Sequence, residues 1–252
     1  MVHVFAAERP PLDPGAPMKR ETGMASIAQV GIFQGISDLD LSRFDHRCVW
    51  RKVDEGQIII DFDDPSSDVY FIMAGDVRIQ LRTTGGREFI LADLREGEFF
   101  GELAAIDGEP RSANVTALTR TTICIVGAAL FREILKASAQ VSERVMVLLA
   151  RRVRELNARL LEHAVLDIRH NLYAELIRLS IQRSRGSPAR IVSPPPYHHV
   201  LAARIGCRRE QITRELRAME RDGLMQKTRG GLILPDPEAI RQRIALKMQE
   251  LG

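Results

Sequence analysis

The sequence contains little cysteine and no long apolar run, and both absences exclude classes of protein. Its three cysteines, Cys48, Cys124 and Cys207, lie far apart and form no C-x-x-C pair. Neither a disulfide framework nor a cysteine-held metal cluster is therefore expected, and isolated thiols suit a reducing cytoplasm. Because no stretch of about 18 apolar residues occurs, and the N-terminus lacks the basic-then-apolar order of a signal peptide, we predict a cytoplasmic protein that does not contact membranes.

The sequence also lacks the motifs that mark the common enzyme classes. It contains no P-loop, no H-E-x-x-H, no G-x-S-x-G and no dinucleotide-binding fingerprint. Apolar residues make up 45% of the chain and charged residues 27%, which is typical of a globular protein. These features predict a protein that is not an enzyme.

Charge is distributed unevenly along the chain. Residues 53–110 carry 14 acidic and 4 basic side chains, a net charge of −10. Residues 190–230 carry 9 basic and 4 acidic side chains, a net charge of +5. A basic segment near the end of an otherwise acidic protein indicates a polyanionic partner for that segment.

The N-terminal half has the pattern of an antiparallel β domain behind a disordered tail. Residues 1–25 are rich in proline, small residues and charge, which predicts the tail. Short segments rich in β-branched and aromatic residues then alternate with turn formers such as Asp63-Asp64-Pro65, which is typical of a sandwich or barrel over residues 26–138. The predicted strands are Gln57–Asp61, Val69–Met73, Val77–Arg82, Glu88–Leu94, Ala113–Leu118 and Thr122–Val126.

A long helix is predicted over residues 139–164, and it runs into a hinge at Val165–Asp167. Its apolar residues recur at alternating intervals of four and three, which is the heptad pattern of a two-stranded coiled coil. A single helix packed on its own domain would show a wider apolar stripe, so the narrow seam favours dimerisation. Residues 166–252 then form a further domain, in which Asp167 caps a helix from Ile168 to about Gln182. The seam residues are Ser142, Met146, Leu149, Val153, Leu156, Leu160 and His163.

The most informative segment is Phe100–Ala113, which reads F-G-E-L-A-A-I-D-G-E-P-R-S-A. A cyclic phosphodiester needs a guanidinium for its charged oxygens and an acceptor for the ribose hydroxyl. Arg111 supplies the first and Glu102 the second, nine residues apart around one helical turn. A structural Glu–Arg pair without a ligand is the alternative interpretation.

Four neighbours complete this candidate site. Gly101 lets the backbone approach a ligand closely. Leu103 and Ala104 open the helical turn, where free backbone N–H groups favour a phosphate. Ser112 adds a hydroxyl and an N–H group.

This segment resembles the phosphate-binding cassette of cyclic-nucleotide-binding domains. The family pattern F-G-E-L-A followed by P-R-S/T-A is matched at Phe100–Ala104 and Pro110–Ala113. The resemblance implies that a cyclic nucleotide is bound as an allosteric ligand, without a metal. The implied contacts are Phe100, Gly101, Glu102, Leu103, Ala104, Arg111, Ser112 and Ala113.

From about Gly31 to Leu234 the chain resembles the cyclic AMP receptor protein branch of the CRP/FNR regulators. The resemblance implies an α+β protein with an N-terminal β-roll (jelly roll), a long dimerisation helix and a C-terminal winged helix-turn-helix. It also implies that Arg152, Leu156 and Asn157 of the long helix contact the nucleobase. Family receptors for cAMP carry Thr-Ser where this chain has Leu156-Asn157, so cAMP and cGMP both stay open.

The stretch His198–Lys227 predicts a helix-turn-helix. A first helix carries Leu201 and Ile205, Gly206 makes the turn, and the second helix enters the major groove. The second helix buries Ile212, Leu216 and Met219 and exposes a basic face, and a two-stranded wing follows. Predicted DNA contacts on this face are Arg208, Arg209, Glu210, Gln211, Thr213, Arg214 and Arg217.

Arg209, Glu210 and Arg214 match the R-E-x-x-x-R core of the family's recognition helix. That match implies palindromic operators with TGTGA-like half-sites, read by arginine on guanine and glutamate on cytosine. His198 and His199 are expected to cap the helix or contact phosphate rather than to bind metal. The loop Arg183–Arg190 lies where the family contacts RNA polymerase, although a merely solvated loop is an equal alternative.

These observations predict a cyclic-nucleotide-responsive transcription regulator. Its expected partners are double-stranded DNA, a second copy of the chain and RNA polymerase. The main alternative is a CRP/FNR-type regulator that binds DNA without a nucleotide or senses another small effector. An enzyme, or the regulatory subunit of one, is a further alternative that the missing motifs disfavour.

Overall fold

The computed structural model describes residues 26–83 and 85–250. The predicted disordered tail, residues 1–25, lies outside them. The chain forms two compact units, one ending at Arg151 and the other beginning at Arg152. The architecture is α+β, with a β-sheet domain first, a long helix next and a helix-turn-helix domain last.

Two four-stranded antiparallel sheets build the first unit, in the orders β1-β8-β3-β6 and β2-β7-β4-β5. All six predicted strands are present, each within one residue of its predicted ends. Two further strands, β1 and β6, were not predicted. The strands are β1 (Val49–Val53), β2 (Ile58–Ile60), β3 (Val69–Ala74), β4 (Asp76–Arg82), β5 (Glu88–Arg95), β6 (Phe99–Phe100), β7 (Asn114–Ala117) and β8 (Thr121–Val126).

The two sheets enclose one apolar core, and helices cover a second. Between the sheets, Tyr70 and Phe100 pack with Ile72 and Val115. The second core forms around Phe71, where β3 and β6 meet α3 and the start of α4. The helices of this unit are a 3-10 turn (Ile27–Gln29), α1 (Ser42–Asp45), α2 (Glu102–Asp107) and α3 (Ala128–Ala137).

The long helix α4 spans Ala139–Val165, as predicted to within one residue. Its first turns belong to the first unit, since Val141 and Val145 are buried in the core and Leu149 packs against it. Ser142 donates a hydrogen bond to the carbonyl of Leu135 at 2.6 Å. Ser142 and Leu149 of the predicted seam therefore contact the chain's own first unit. Four other seam residues are more than half exposed, namely Met146, Val153, Leu156 and Leu160.

The second unit surrounds a core built from helices and a small sheet. Asp167 caps α5 as predicted, accepting a hydrogen bond from the His170 backbone N–H at 3.0 Å. The helix ends earlier than predicted, because Ile181–Gln182 leave it as strand β9 and pair with β10. The helices are α5 (Ile168–Leu179), α6 (His198–Ile205), α7 (Arg209–Arg221) and α8 (Pro237–Gln249).

The predicted two-stranded wing is present as the β11–β12 hairpin. In addition, β12 pairs with β10, which gives a four-stranded sheet in the order β11-β12-β10-β9. The additional strand β10 contains the apolar residues Ile191 and Val192, which follow the loop Arg183–Arg190. The strands are β9 (Ile181–Gln182), β10 (Arg190–Val192), β11 (Gln226–Lys227) and β12 (Leu232–Leu234).

Candidate nucleotide pocket and DNA-reading surface

Two left-handed glycines bracket the helix α2. Gly101 has φ 83° before its first residue, and Gly108 has φ 80° after its last. A Cβ on Gly101 would lie 2.7 Å from the Asp68 carbonyl oxygen and 2.8 Å from Arg111 Nη1. Only glycine combines this dihedral angle with so close an approach. The turn thus brings the residue before α2 next to the Arg111 guanidinium.

Arg111 is held by three hydrogen bonds and is only 3% exposed. Its Nε donates to Ser66 Oγ at 3.0 Å, Nη1 to the Gly101 carbonyl at 3.0 Å, and Nη2 to the Asp68 carbonyl at 2.9 Å. A guanidinium has five N–H groups, so these bonds leave at most two for an anion. The charge is oriented by neutral partners, which keeps it available to a phosphate.

The loop before β3 forms a cradle for Arg111. The Arg111 backbone N–H donates to the Asp64 carbonyl at 3.1 Å, and the Asp63 N–H donates to the Arg111 carbonyl at 3.0 Å. Sequence analysis identified this segment only as a turn and missed Ser66 and Asp68. Their positions, 45 and 43 residues before Arg111, gave no local signal.

An aromatic pair lies beneath the guanidinium. The Tyr70 ring centroid is 5.5 Å from Arg111 Cζ, within the range of a cation–π contact. Tyr70 stacks on Phe100 with centroids 5.1 Å apart. Burial raises the pKa of Tyr70, while the Arg111 charge opposes that rise.

The other predicted cassette residues divide into a buried and an exposed group. Glu102, at the first position of α2, is buried, and so are Phe100, Ala104 and Ala113. Leu103 and Ser112 are exposed. Phe100 packs within the core between the sheets, so it shapes the pocket.

Sequence analysis missed three apolar side chains on the inner faces of the sheets. Ile79, Ala92 and Ile125 are only partly buried and pack against the core between the sheets. Ile79 and Ala92 are cross-strand partners on β4 and β5. Such partly covered apolar surface suits the face of a nucleobase. Their alternating pattern is that of any half-buried strand, so it carried no specific signal.

The three helix residues predicted to contact the base lie along α4 in the second unit. Leu156 and Asn157 are exposed, and Arg152 is half-buried. Their contact with a nucleotide stays a prediction.

The helix-turn-helix is formed as predicted by α6, a left-handed Gly206 with φ 77°, and α7. Ile212, Leu216 and Met219 are buried. Gln211 caps its own helix, since its Oε1 accepts from the Arg208 backbone N–H at 2.9 Å. The exposed side chains of this surface are Arg208, Arg209, Glu210, Arg214 and Arg217.

A buried carboxylate anchors one of these arginines. Arg214 Nε lies 3.2 Å from Glu215 Oε1, and Arg169 Nε lies 2.9 Å from Glu215 Oε2. The bond to Glu215 raises the pKa of Arg169. The Glu215 carboxylate thus connects Arg214 of α7 with Arg169 of α5.

The two histidines differ in their surroundings. His198 Nδ1 lies 2.8 Å from Thr213 Oγ1 on the recognition helix. His199 is exposed and stacks on Tyr197 with ring centroids 5.5 Å apart. Across residues 26–83 and 85–250, no group of three or more His, Cys, Asp or Glu side chains is arranged to hold a metal ion.

A buried ion cluster joins three helices of the second unit. Glu175 of α5 pairs with Arg178 and, at 3.3 Å, with Arg204 of α6. Arg178 Nη2 also lies 2.6 Å from Glu162 Oε2 at the end of α4. Burial lowers the pKa of Arg159, which lies beside this cluster. The first helix of the DNA-reading motif is therefore paired electrostatically with α5, which is itself paired with the end of α4.

Two family models match successive parts of the chain. The family model for the cyclic nucleotide-binding domain matches residues 50–138, and that for the Crp-like helix-turn-helix domain matches residues 146–243. The cyclic AMP receptor protein of Thermus thermophilus is 31% identical over 203 residues, which cover 77% of this chain and 88% of that protein. The chain belongs to the CRP/FNR family.

Other CRP/FNR proteins extend the similarity. The CRP-like cAMP-activated global transcriptional regulator of Mycobacterium tuberculosis is 24% identical over 220 residues, or 86% of this chain and 97% of that protein. The solved structure of the c-di-GMP responsive global regulator CLP of Xanthomonas campestris matches with a TM-score of 0.64 and 22% identity. That match covers 77% of this chain and 97% of the other, and it shows a shared fold.

Membership of the CRP/FNR family makes the chain a transcription regulator with a cyclic-nucleotide-binding domain and a DNA-binding domain, and not an enzyme. None of the helices in the part of the chain that the structure describes is long and apolar enough to cross a membrane.

Proposed function

We propose that this CRP/FNR regulator binds cAMP, or less favourably cGMP, and acts in the cytoplasm as a homodimer on palindromic operators. The observation that carries the proposal is the buried Arg111 guanidinium, oriented by three neutral acceptors beneath the start of α2. A cation held in this way, next to backbone N–H groups at a helix start, matches a cyclic phosphate.

Each part of the nucleotide has a partner in the pocket. The phosphate engages the remaining N–H groups of Arg111 and the N–H groups that begin α2, while the Glu102 carboxylate accepts from the ribose 2′-OH. Ile79 and Ala92 cover the base. Asn157 can donate and accept, so it serves either adenine or guanine.

The exposed seam of α4 supports a dimer. Met146, Val153, Leu156 and Leu160 expose between 55% and 70% of their surface in a single chain. Spaced by seven, three and four residues, they form the stripe that a second copy of the same helix covers in a parallel coiled coil. Dimerisation places two recognition helices on two half-sites about one DNA turn apart, or about 10–11 bp centre to centre.

The recognition helix then reads TGTGA-like half-sites. Arg209 and Arg214 pair with guanine and Glu210 accepts from cytosine. The loop Arg183–Arg190 contacts RNA polymerase in this proposal, supported by the exposure of Arg183 and Arg185 and by the family's arrangement.

Nucleotide and DNA are coupled through α4. Asn157 is adjacent to the seam residue Leu156, so a base that binds Asn157 also biases the dimer contact. Coupling between two sites in one protein typically amounts to about 1–3 kcal/mol, or about 5–150-fold in affinity. Linkage requires operator DNA to tighten nucleotide binding by the same factor.

Fluorescence anisotropy with a labelled operator duplex tests the proposal. We expect cAMP to strengthen operator binding by about 5–150-fold. Asn157→Ala is expected to reduce this ratio, whereas Arg154→Ala, an exposed change one turn earlier on the same helix, leaves it intact. Equal operator affinity with and without cAMP or cGMP would instead identify a regulator that binds DNA independently of cyclic nucleotides.

A further inference from the structure

The imidazole of His198 is hydrogen-bonded to the recognition helix through its Nδ1 atom. His198 Nδ1 lies 2.8 Å from Thr213 Oγ1, and that hydroxyl donates to the Arg209 carbonyl at 3.1 Å. A threonine hydroxyl has a single hydrogen, so Oγ1 accepts from His198 and we assign the hydrogen to Nδ1. The neutral ring therefore has a lone pair at Nε2, and protonation converts that atom into a donor.

Cations surround this ring. Arg209, Thr213 and Arg217 recur every fourth residue and share one face of α7, and His198 bonds to the middle one. Burial and then the charges of Lys227, Arg209 and Arg217 lower the pKa of His198 below its ordinary value of 6.5. The free protein thus holds His198 neutral near neutral pH. The charged and titratable groups around it are Lys227 of β11, Arg209 and Arg217 of α7, and His199 of α6.

We propose that His198 takes up a proton when the recognition helix meets DNA, so that its Nε2–H becomes a phosphate contact and DNA binding strengthens as the pH falls. The inference rests on the DNA binding of the proposed function. Lys227 and Arg217, two of the cations that repel a proton in the free protein, also attract a phosphate. Once the phosphate neutralises them, the imidazolium gains a charge-assisted hydrogen bond.

The direction of the effect follows from linkage. The pKa of His198 is lowered in the free protein and rises next to phosphate. Between the two pKa values the complex holds one more proton than the free protein, so affinity increases as the pH falls through that window. Each unit of difference between the two pKa values corresponds to about tenfold in affinity at the acid end. Because a phosphate contact carries no sequence information, the effect applies to every duplex.

The test is the pH dependence of DNA affinity from about pH 8 to about pH 5.5, the range in which histidine titrates. Two duplexes are used, one with inverted TGTGA half-sites and one with the same bases scrambled. His198→Asn retains a donor at the position of Nδ1 but cannot become charged, and His46→Asn, at an exposed histidine of the first unit, is the control. We expect the wild type and His46→Asn to share the steeper slope on both duplexes. The slope for His198→Asn is expected to be smaller by about one proton.

The outcomes separate this inference from the proposed function. Binding at about pH 8 with equal slopes for wild type and His198→Asn contradicts proton uptake while leaving the regulator's DNA binding intact. No binding to either duplex at any pH contradicts both. NMR titration of the histidine rings, with and without the scrambled duplex, gives a second test if a variant folds poorly. An unchanged pKa of His198 on binding, or a hydrogen found on Nε2 of the neutral ring, overturns the inference.

Discussion

Arg111 is the single residue on which the nucleotide pocket depends most, because neutral groups on two loops orient its charge. Sequence analysis could identify Arg111 and Glu102, since the cassette is contiguous and its chemistry is specific. It could not identify Ser66 or Asp68, whose contribution depends on how β3 approaches the cassette in space. A hydroxyl and a backbone carbonyl contributed from a distant loop have no sequence signature.

Replacing Arg111 by leucine should abolish most nucleotide binding. The variant leaves the phosphate without its charged partner, and truncation of one partner of a buried charge pair costs about 2–5 kcal/mol, at least about 30-fold in Kd. Isothermal titration calorimetry with cAMP measures the loss. Arg120→Leu is the control, since the Arg120 side chain is 78% exposed. Equal affinity of Arg111→Leu and the wild type would refute the role assigned to Arg111.

Gly101→Ala should destabilise the first unit more than Gly97→Ala. The two glycines have nearly equal φ values, 83° and 85°, so both variants carry the left-handed penalty of about 1–2 kcal/mol. Only at Gly101 does the new methyl meet backbone, 2.7 Å from the Asp68 oxygen, which adds about 1–3 kcal/mol. Urea denaturation followed by Trp50 fluorescence reports this unit alone, because Trp50 is the single tryptophan. Equal destabilisation of the two variants would contradict the close approach.

At the scale of secondary-structure elements, regular periodicity was predictable and short or irregular pairing was not. The helix α4 and six strands have clear apolar repeats, and their predicted ends are nearly right. Strand β6 contains only Phe99–Phe100, and two residues are too few to show an alternating pattern. Strand β1 buries Trp50 and Val53, three residues apart, which breaks the two-residue period. The pairing of β9 with β10 depends on contacts across a loop that local patterns do not encode.

Glu175→Gln should destabilise the packing of α5 against α6. The buried Glu175 carboxylate pairs with Arg178 and with the buried Arg204, and Gln removes the negative charge from both pairs. Breaking a buried pair in this way costs about 3–5 kcal/mol. Glu238→Gln, at an exposed pair with Arg241, should cost at most about 1 kcal/mol. Hydrogen exchange of the α5 and α6 amides measures both, and comparable protection in the two variants would show that the cluster does not stabilise this junction.

Arg209→Ala should relax sequence preference at one guanine, at a cost of about 1–3 kcal/mol on the preferred operator. Arg217→Ala, two helical turns further on, should weaken binding to all sequences alike if it contacts only phosphate. Selection from a random duplex library compares the two variants with the wild type. An unchanged consensus for Arg209→Ala, or a wild-type consensus without two-fold symmetry, would contradict the assigned contacts.

At the scale of the whole molecule, the sequence could not predict how α4 is divided between the two units. The heptad pattern treats all seven seam positions as equivalent. In the structure Leu149 packs on the core of the first unit, whereas Leu156 and Leu160 are exposed. The difference arises from the apolar surface that α3 and the sheets offer to the beginning of the helix, which the helix sequence alone does not reveal.

Leu160→Glu should weaken the dimer, and Leu161→Glu should not. Both leucines are exposed in a single chain, by 70% and 53%, but only Leu160 lies on the seam. In a parallel dimer the two introduced carboxylates at this seam position would face each other, and such like-charge contacts cost several kcal/mol, about a hundredfold or more in the dimer Kd. Sedimentation velocity over a range of concentrations measures the dissociation constant. Equal weakening by both changes would place the interface elsewhere.

The boundary between the two units falls inside α4, with no loop between them. A flexible linker can gain or lose a residue without moving the units that it joins. In a helix, the same change rotates and shifts every residue that follows. One residue inserted after Arg151 would turn every later side chain of α4 by about 100° around the axis and advance it by about 1.5 Å. Leu156 and Leu160 would then leave the stripe begun by Met146. An insertion of seven residues would almost restore the phase. The length of this helix is thus constrained to steps of about seven residues, a constraint that a flexible linker would not impose.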